Sequence, residues 1–110
     1  MVDYITFELE GYISLDEGHK MVAEAADVLC NKSTGYPTLP FHWEKLSWYC
    51  EKLIFNKYNG YFHILNDGCS RKADLLEFFS FIKPALLAEK GSVVGWYVCE
   101  SDDVKHELVV

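Results

Sequence analysis

The dipeptide Asn59-Gly60, between two aromatic-rich runs, is the feature that most constrains how this chain can fold. A type I′ turn needs positive φ at both central positions, and Asn-Gly tolerates this better than other pairs. The sequence therefore predicts a β-hairpin in which Leu53–Tyr58 and Tyr61–Leu65 pair antiparallel. The other elements must then be arranged around an antiparallel sheet.

Alternation of apolar and polar residues predicts further strands near both ends of the chain. In the opening segment Ile5, Phe7 and Leu9 point one way and their polar neighbours the other, which is typical of a half-buried strand. Residues 93–100 form a strand that is apolar on both faces. After an "SDD" turn, the final "VKHELVV" alternates again and predicts a last strand.

Helical spacing of apolar residues predicts two long helices. The first runs from about Leu15 to Asn31, and the second begins at a capping Ser70, after residues 66–68 break the preceding strand. Pro84 should kink or split the second helix. The segment Trp43–Glu51 fits either a helix or a strand, and we favour a short helix to about Glu51.

The resulting order, β-α-(α)-β-β-α-β-β, indicates an α+β fold. We expect one mainly antiparallel sheet with helices packed on one face, and a ferredoxin-like or split βαβ core as the best specific match. A chain of 110 residues, half of them hydrophobic, is the common size of one domain, so residues 1–110 are predicted to form a single globular domain.

The charge balance narrows the class of partner. Seventeen acidic and ten basic residues give a net charge of −7, and Arg71 is the single arginine. Nucleic-acid binding needs clustered Lys and Arg, so this composition disfavours it and instead suits a basic protein partner. No apolar run is long enough to span a bilayer, and the acidic N-terminus does not resemble a signal peptide, which favours the cytoplasm.

No motif identifies a reaction, a cofactor or a metal. The four cysteines, at positions 30, 50, 69 and 99, show no CxxC pairing, so we expect buried structural thiols and no zinc site. A cysteine hydrolase built on Cys69 is the main catalytic alternative, because a helix N-terminus lowers a thiol pKa. However, His63 lies six residues upstream on a strand that runs away from Cys69.

One face of the predicted sheet has the composition of an interface. If the helices cover the face that holds Phe7, Trp96 and Val98, the opposite face collects tyrosines among acids. Its members would be Thr6, Glu8, Tyr61, His63, Tyr97 and Cys99, extended by Lys105 and Glu107. Tyrosine is enriched at protein interfaces, and surrounding acids steer a basic partner. Alternatively, this is an ordinary mixed sheet face, or the loop Gly35–His42 covers it.

The acidic terminal run "CESDDVKHELVV", the aromatic "HWEKLSWYCEKL" and the strand "GSVVGWYVCES" give the chain the general character of a small immunity protein. It resembles the bacterial immunity proteins of colicin and contact-dependent inhibition systems. The resemblance implies an antitoxin without catalytic activity of its own, which binds a cognate basic toxin domain, such as a nuclease, and occludes its active site.

For this function we expect four charged contacts and four aromatic or histidine contacts. The charged residues are Glu100, Asp102, Asp103 and Glu107, and the others are Tyr97, Tyr61, His63 and Trp48. A monomer is favoured. Two alternatives are a small cytosolic enzyme, either a Cys/His hydrolase or a transferase, and a structural subunit that self-associates through an exposed strand edge.

Overall fold

The computed structural model describes residues 4–33 and 39–110, apart from the side chain of Cys69. These residues form five strands and two α-helices. The strands are β1 (Tyr4–Tyr12), β2 (Cys50–Phe55), β3 (Tyr61–Arg71), β4 (Val93–Cys99) and β5 (Lys105–Val109). The α-helices are α1 (Lys20–Asn31) and α2 (Lys72–Ile82), and three short 3₁₀ helices cover Glu17–His19, Phe41–Ser47 and Lys83–Ala85.

The strands form one antiparallel sheet in the order β2-β3-β1-β4-β5. Helix α1 connects β1 to β2, and α2 connects β3 to β4. Because β1 lies between β3 and β4, and β3 lies between β1 and β2, each helical connection skips one strand. This is the split βαβ arrangement, with β5 added at the edge beside β4. The predicted α+β fold is confirmed.

The core lies between the sheet and the helices, on one face of the sheet. Alternate residues of β1 and β3 are buried there against apolar side chains of α1, α2 and the 3₁₀ helix Phe41–Ser47. The strands contribute Ile5, Phe7, Leu9, Phe62 and Ile64, and the helices contribute Val22, Ala26, Leu29, Trp43, Leu46, Leu75, Phe78 and Ile82. We call this side of the sheet the helix face. None of the described helices is long and apolar enough to cross a bilayer.

The hairpin at Asn59-Gly60 is confirmed, but its predicted turn type is wrong. Between Asn56 and Tyr61 only Gly60 has positive φ, at 82°, and the Asn56 N–H donates to the Tyr61 carbonyl at 2.8 Å. The loop therefore has four residues and not two. Asn56 stabilises it, since its side-chain oxygen accepts from the Tyr58 N–H at 2.9 Å.

The predicted strand break at residues 66–68 is also wrong. Strand β3 continues to Arg71, and three of its residues bulge opposite Thr6 of β1, since Phe7 pairs with Asn66 and Ile5 pairs with Ser70. Ser70 is fully buried on β3, so it does not cap α2. A bulge lets the strand continue past polar residues because only its local pairing is lost.

The ambiguous segment Trp43–Glu51 contains both elements. A 3₁₀ helix ends at Ser47, a turn follows, and β2 begins at Cys50. The turn places Tyr49 at φ 55°, a left-handed conformation that is uncommon for a bulky residue. The fully buried Asn66 stabilises this turn, because its side-chain NH₂ donates to the Trp48 carbonyl at 2.8 Å.

Candidate functional site

The face of the sheet opposite the helices is the candidate site, and we call it the open face. Strand register decides its members, because residues opposite each other share a face. Glu8 pairs with Leu65 and Trp96, and Glu10 pairs with His63. The open face therefore contains Thr6, Glu8, Glu10, Tyr12, Lys52, Ile54, Tyr61, His63, Leu65, Trp96, Val98, Lys105 and Glu107.

Glu8 is the centre of a polar network on this face. Its Oε2 accepts from His63 Nε2 at 2.7 Å, and its Oε1 accepts from the Trp96 indole N–H at 3.1 Å. The hydrogen bond from His63 lowers the pKa of Glu8; partial burial opposes the shift, and the bond from Trp96 supports it. Glu8 therefore stays ionised, and three strands hold its carboxylate in one orientation.

A second carboxylate, Glu10, lies two residues further along β1. Its Oε2 accepts the hydroxyl hydrogen of Tyr61 and lies 3.7 Å from His63 Nδ1. The hydrogen bond to Glu10 raises the pKa of the Tyr61 phenol, because the bond stabilises the protonated form. The Tyr61 ring in turn contacts Tyr12, with ring centroids 5.4 Å apart and planes tilted by 58°.

On the other side of Glu8, β5 supplies a cation. Lys105 Nζ lies 5.0 Å from the centroid of the Trp96 ring, a distance at which the ring attracts the ammonium group. Glu107 is opposite Trp96 on the same strand and is exposed. The open face thus combines fixed carboxylates with partly exposed aromatic rings.

Three predicted site residues, Tyr61, His63 and Glu107, lie on the open face as expected. The predicted position of Tyr97 is wrong: only 8% of it is exposed, and it lies on the helix face, where its ring stacks on His106 at 4.8 Å. Cys99 is buried on the same side. The predicted alternation of β4 was shifted by one residue, so Trp96, and not Tyr97, lies on the open face.

The acids Glu100, Asp102 and Asp103 lie at one end of the sheet, in the turn between β4 and β5. Asp102 shapes this turn, since its Oδ1 accepts from the Val104 N–H at 2.9 Å. Glu100 and Asp103 line a hollow of about 260 Å³ beside Tyr4. All three acids are exposed, so they add negative charge at this end of the sheet.

Trp48 lies in the turn before β2 and is 44% exposed, while its neighbour Tyr49 is 81% exposed. These two rings are therefore available for contact, although at the edge of the sheet. Among the acidic and aromatic members of the open face, four were not predicted as contacts: Glu8, Glu10, Tyr12 and Trp96. The β1 alternation places the first three beside Thr6, so for them the signal was present.

The side chains of Cys30 and His42 lie on the helix side of the sheet. The Cys69 side chain lies outside the described residues, and the Cys30 thiol is buried, which raises its pKa to about 12. His42 bonds Glu77 of α2 at 2.7 Å, on the helix side. Among the described residues, no three His, Cys, Asp or Glu side chains are grouped so that they could hold a metal ion.

A second hollow, of about 440 Å³, lies beside the end of α1 and the β2–β3 loop. Its buried acid, Asp27, accepts hydrogen bonds from Asn31 at 2.7 Å and Ser33 at 2.8 Å. Asn31 also donates to the Phe55 carbonyl at 3.0 Å. These bonds join α1 to β2, so the cluster has a structural role.

The loop Gly35–His42 was the alternative cover for the open face. Residues 34–38 lie outside the described residues, while His42 and Trp43 of the 3₁₀ helix Phe41–Ser47 bond Glu77 of α2. Comparison of the chain with protein-family models, with curated proteins and with solved structures gave no match.

Proposed function

We propose that this chain is an immunity protein that binds a basic toxin domain through the open face and occludes the active site of that domain. The observation that carries the proposal is the network in which His63 and Trp96 fix Glu8 while Tyr61 orients Glu10. The proposed site of action is the cytoplasm, where the chain would meet an incoming toxin.

The chemistry of the open face supports recognition of a cationic protein. Carboxylates held by internal hydrogen bonds lose little conformational entropy on binding, so more of the interaction energy remains as affinity. Tyr12 is 49% exposed and offers ring area next to these charges. Tyrosine, tryptophan and arginine dominate binding energy at protein interfaces.

The mechanism is occlusion. A nuclease holds its substrate with Lys and Arg side chains that neutralise phosphates. In our proposal Glu8, Glu10 and Glu107 occupy the positions that phosphates would take and so block the cleft. Glu100, Asp102 and Asp103 lie on an exposed turn, where charges accelerate encounter more than they increase affinity.

We expect the gene immediately upstream to encode a secreted protein with a toxin domain, and the test is co-expression of the chain with that domain. The wild-type chain should restore growth and bind the purified domain with an association rate that falls as salt increases. The double variant Glu8→Gln/Glu10→Gln should bind at least tenfold more weakly, as expected for loss of fixed charge pairs.

The matched control is Glu17→Gln/Glu89→Gln, which removes the same charge from exposed positions away from the open face. It should bind like the wild type. Equal loss in both double variants would show that net charge alone acts, and no growth rescue by the wild type would overturn the proposal. Sedimentation velocity of the free chain separates this function from self-association through an edge strand.

A further inference from the structure

One end of the open face contains two tyrosines, Tyr12 and Tyr61, and the carboxylate of Glu10. Tyr12 and Tyr61 are directly opposite on β1 and β3, and Glu10 lies beside them. We call these three residues the tyrosine cradle. Because Tyr61 donates its hydroxyl hydrogen to Glu10, both the ring and the carboxylate are held in place.

The basic side chain beside the cradle contacts a different carboxylate more closely. His63 is the described basic side chain nearest to both acids, and its Nε2 lies 2.7 Å from Glu8, whereas its Nδ1 lies 3.7 Å from Glu10. Glu8 therefore takes the closer contact. The side chain of Glu10 is 51% exposed, so it can receive a second partner from solvent.

Cations lie over other aromatic rings of the described residues, but not over the two rings of the cradle. Trp96, on the same face, is already covered by Lys105, and Tyr58, in the loop before β3, has Lys57 at 5.6 Å. Among residues 4–33 and 39–110, no Lys or Arg lies over the ring of Tyr12 or Tyr61. The cradle thus consists of two aromatic rings beside the Glu10 carboxylate, whose nearest described basic group is His63 Nδ1 at 3.7 Å.

We propose that the tyrosine cradle receives an arginine side chain of the basic partner. This inference rests on the proposed function and names the group that the partner presents. Arginine fits better than lysine because its planar guanidinium can bond a carboxylate with two N–H groups while it stacks on an aromatic ring. A lysine ammonium is a strongly hydrated point charge without a planar group that could stack on the ring.

The experiment uses the full chain and three short blocked peptides, Gly-Arg-Gly, Gly-Lys-Gly and Gly-citrulline-Gly. Proton and ¹³C shifts of the tyrosine rings report binding at the cradle. The arginine peptide should give saturable shifts at Tyr12 and Tyr61, with an affinity about fivefold higher than that of the lysine peptide. The neutral citrulline peptide should give none.

Variants locate the site. Glu10→Gln and Tyr12→Leu should abolish the saturable shifts, and Tyr61→Phe, which keeps the ring but frees Glu10, should weaken them. The matched controls are Tyr4→Leu, at the far end of β1 and roughly 26 Å away along the strand, and Glu89→Gln, at an exposed position away from the open face. Both controls should bind the arginine peptide like the wild type. Circular dichroism confirms that each variant is folded.

Two results would overturn the cradle: no saturable shift with the arginine peptide, or equal binding of all peptides in wild type and Tyr12→Leu. The proposed function fails separately. If the toxin domain binds and depends on Glu8 while the arginine peptide does not bind, the cradle alone is wrong. If the arginine peptide binds and the wild-type chain never rescues growth, the cradle stands and the toxin partner is wrong.

Discussion

Replacing Glu8 by Gln tests whether the polar network on the open face contributes to stability through charge. The substitution keeps the shape of the side chain and removes its negative charge. Gln can still accept one hydrogen bond through its carbonyl oxygen, so the indole N–H of Trp96, 3.1 Å from Glu8 Oε1, can keep an acceptor. The contact with His63, at 2.7 Å, loses its charged acceptor.

The expected cost is therefore that of one charge-assisted hydrogen bond. Such bonds contribute about 1.5–3 kcal/mol, and because the Glu8 side chain is 31% exposed, solvent should hold the value near the lower limit. We expect Glu8→Gln to lower the free energy of unfolding at pH 7 by about 1.5 kcal/mol.

The pH dependence gives the sharper result. The pKa of Glu8 is lower in the folded than in the unfolded protein, so its stabilisation is fully present above the ordinary value of 4.5 and is lost as pH falls through the folded value. The difference between the wild type and Glu8→Gln should consequently shrink between pH 7 and pH 3.

Urea unfolding followed by far-UV circular dichroism at several pH values measures this difference. Glu107→Gln, on the same face but exposed, is the control and should differ from the wild type by no more than about 0.5 kcal/mol at any pH. A difference for Glu8→Gln that stays constant down to pH 3 would refute the charge argument. No difference at pH 7 would refute the contribution of the network.

Three further predictions concern other positions. Gly95→Ala should lower the free energy of unfolding in urea by about 1–3 kcal/mol, because the new Cβ would lie 2.2 Å from the Glu8 carbonyl oxygen. Tyr49→Gly should be more stable to thermal unfolding than Tyr49→Ala by about 1 kcal/mol, since both remove the ring but only Ala keeps a Cβ at the left-handed φ. The raised pKa of the Tyr61 phenol should fall in Glu10→Gln, as followed by ¹³C NMR of the ring.

Each of these measurements has an outcome that contradicts its reason. If Gly95→Ala had the same free energy of unfolding as the wild type, β1 and β4 would be able to separate at little cost in free energy. Equal stability of the two Tyr49 variants would mean that position 49 is not strained. An unchanged phenol titration would mean that Tyr61 does not depend on Glu10 for its raised pKa.

Local patterns determined most of the fold. The alternation in β1, the hairpin around Gly60 and the helical spacing in α1 and α2 each depend on residues close in sequence, and these elements in this order favour a split βαβ sheet. The composition, with a net charge of −7 and many aromatics, already suggested a cationic protein partner.

Tertiary structure decided which side chains meet on the open face. Residues 93–99 are apolar at nearly every position, so their sequence does not show which residues face the helices. Only the pairing with β1 places Trp96 on the open face and Tyr97 on the helix face. Glu8 and His63 are 55 residues apart, and their contact depends on the register of β1 against β3, which the bulge opposite Thr6 shifts. Sequence spacing cannot specify such a contact, because strand register is set by packing of the whole sheet on its helices.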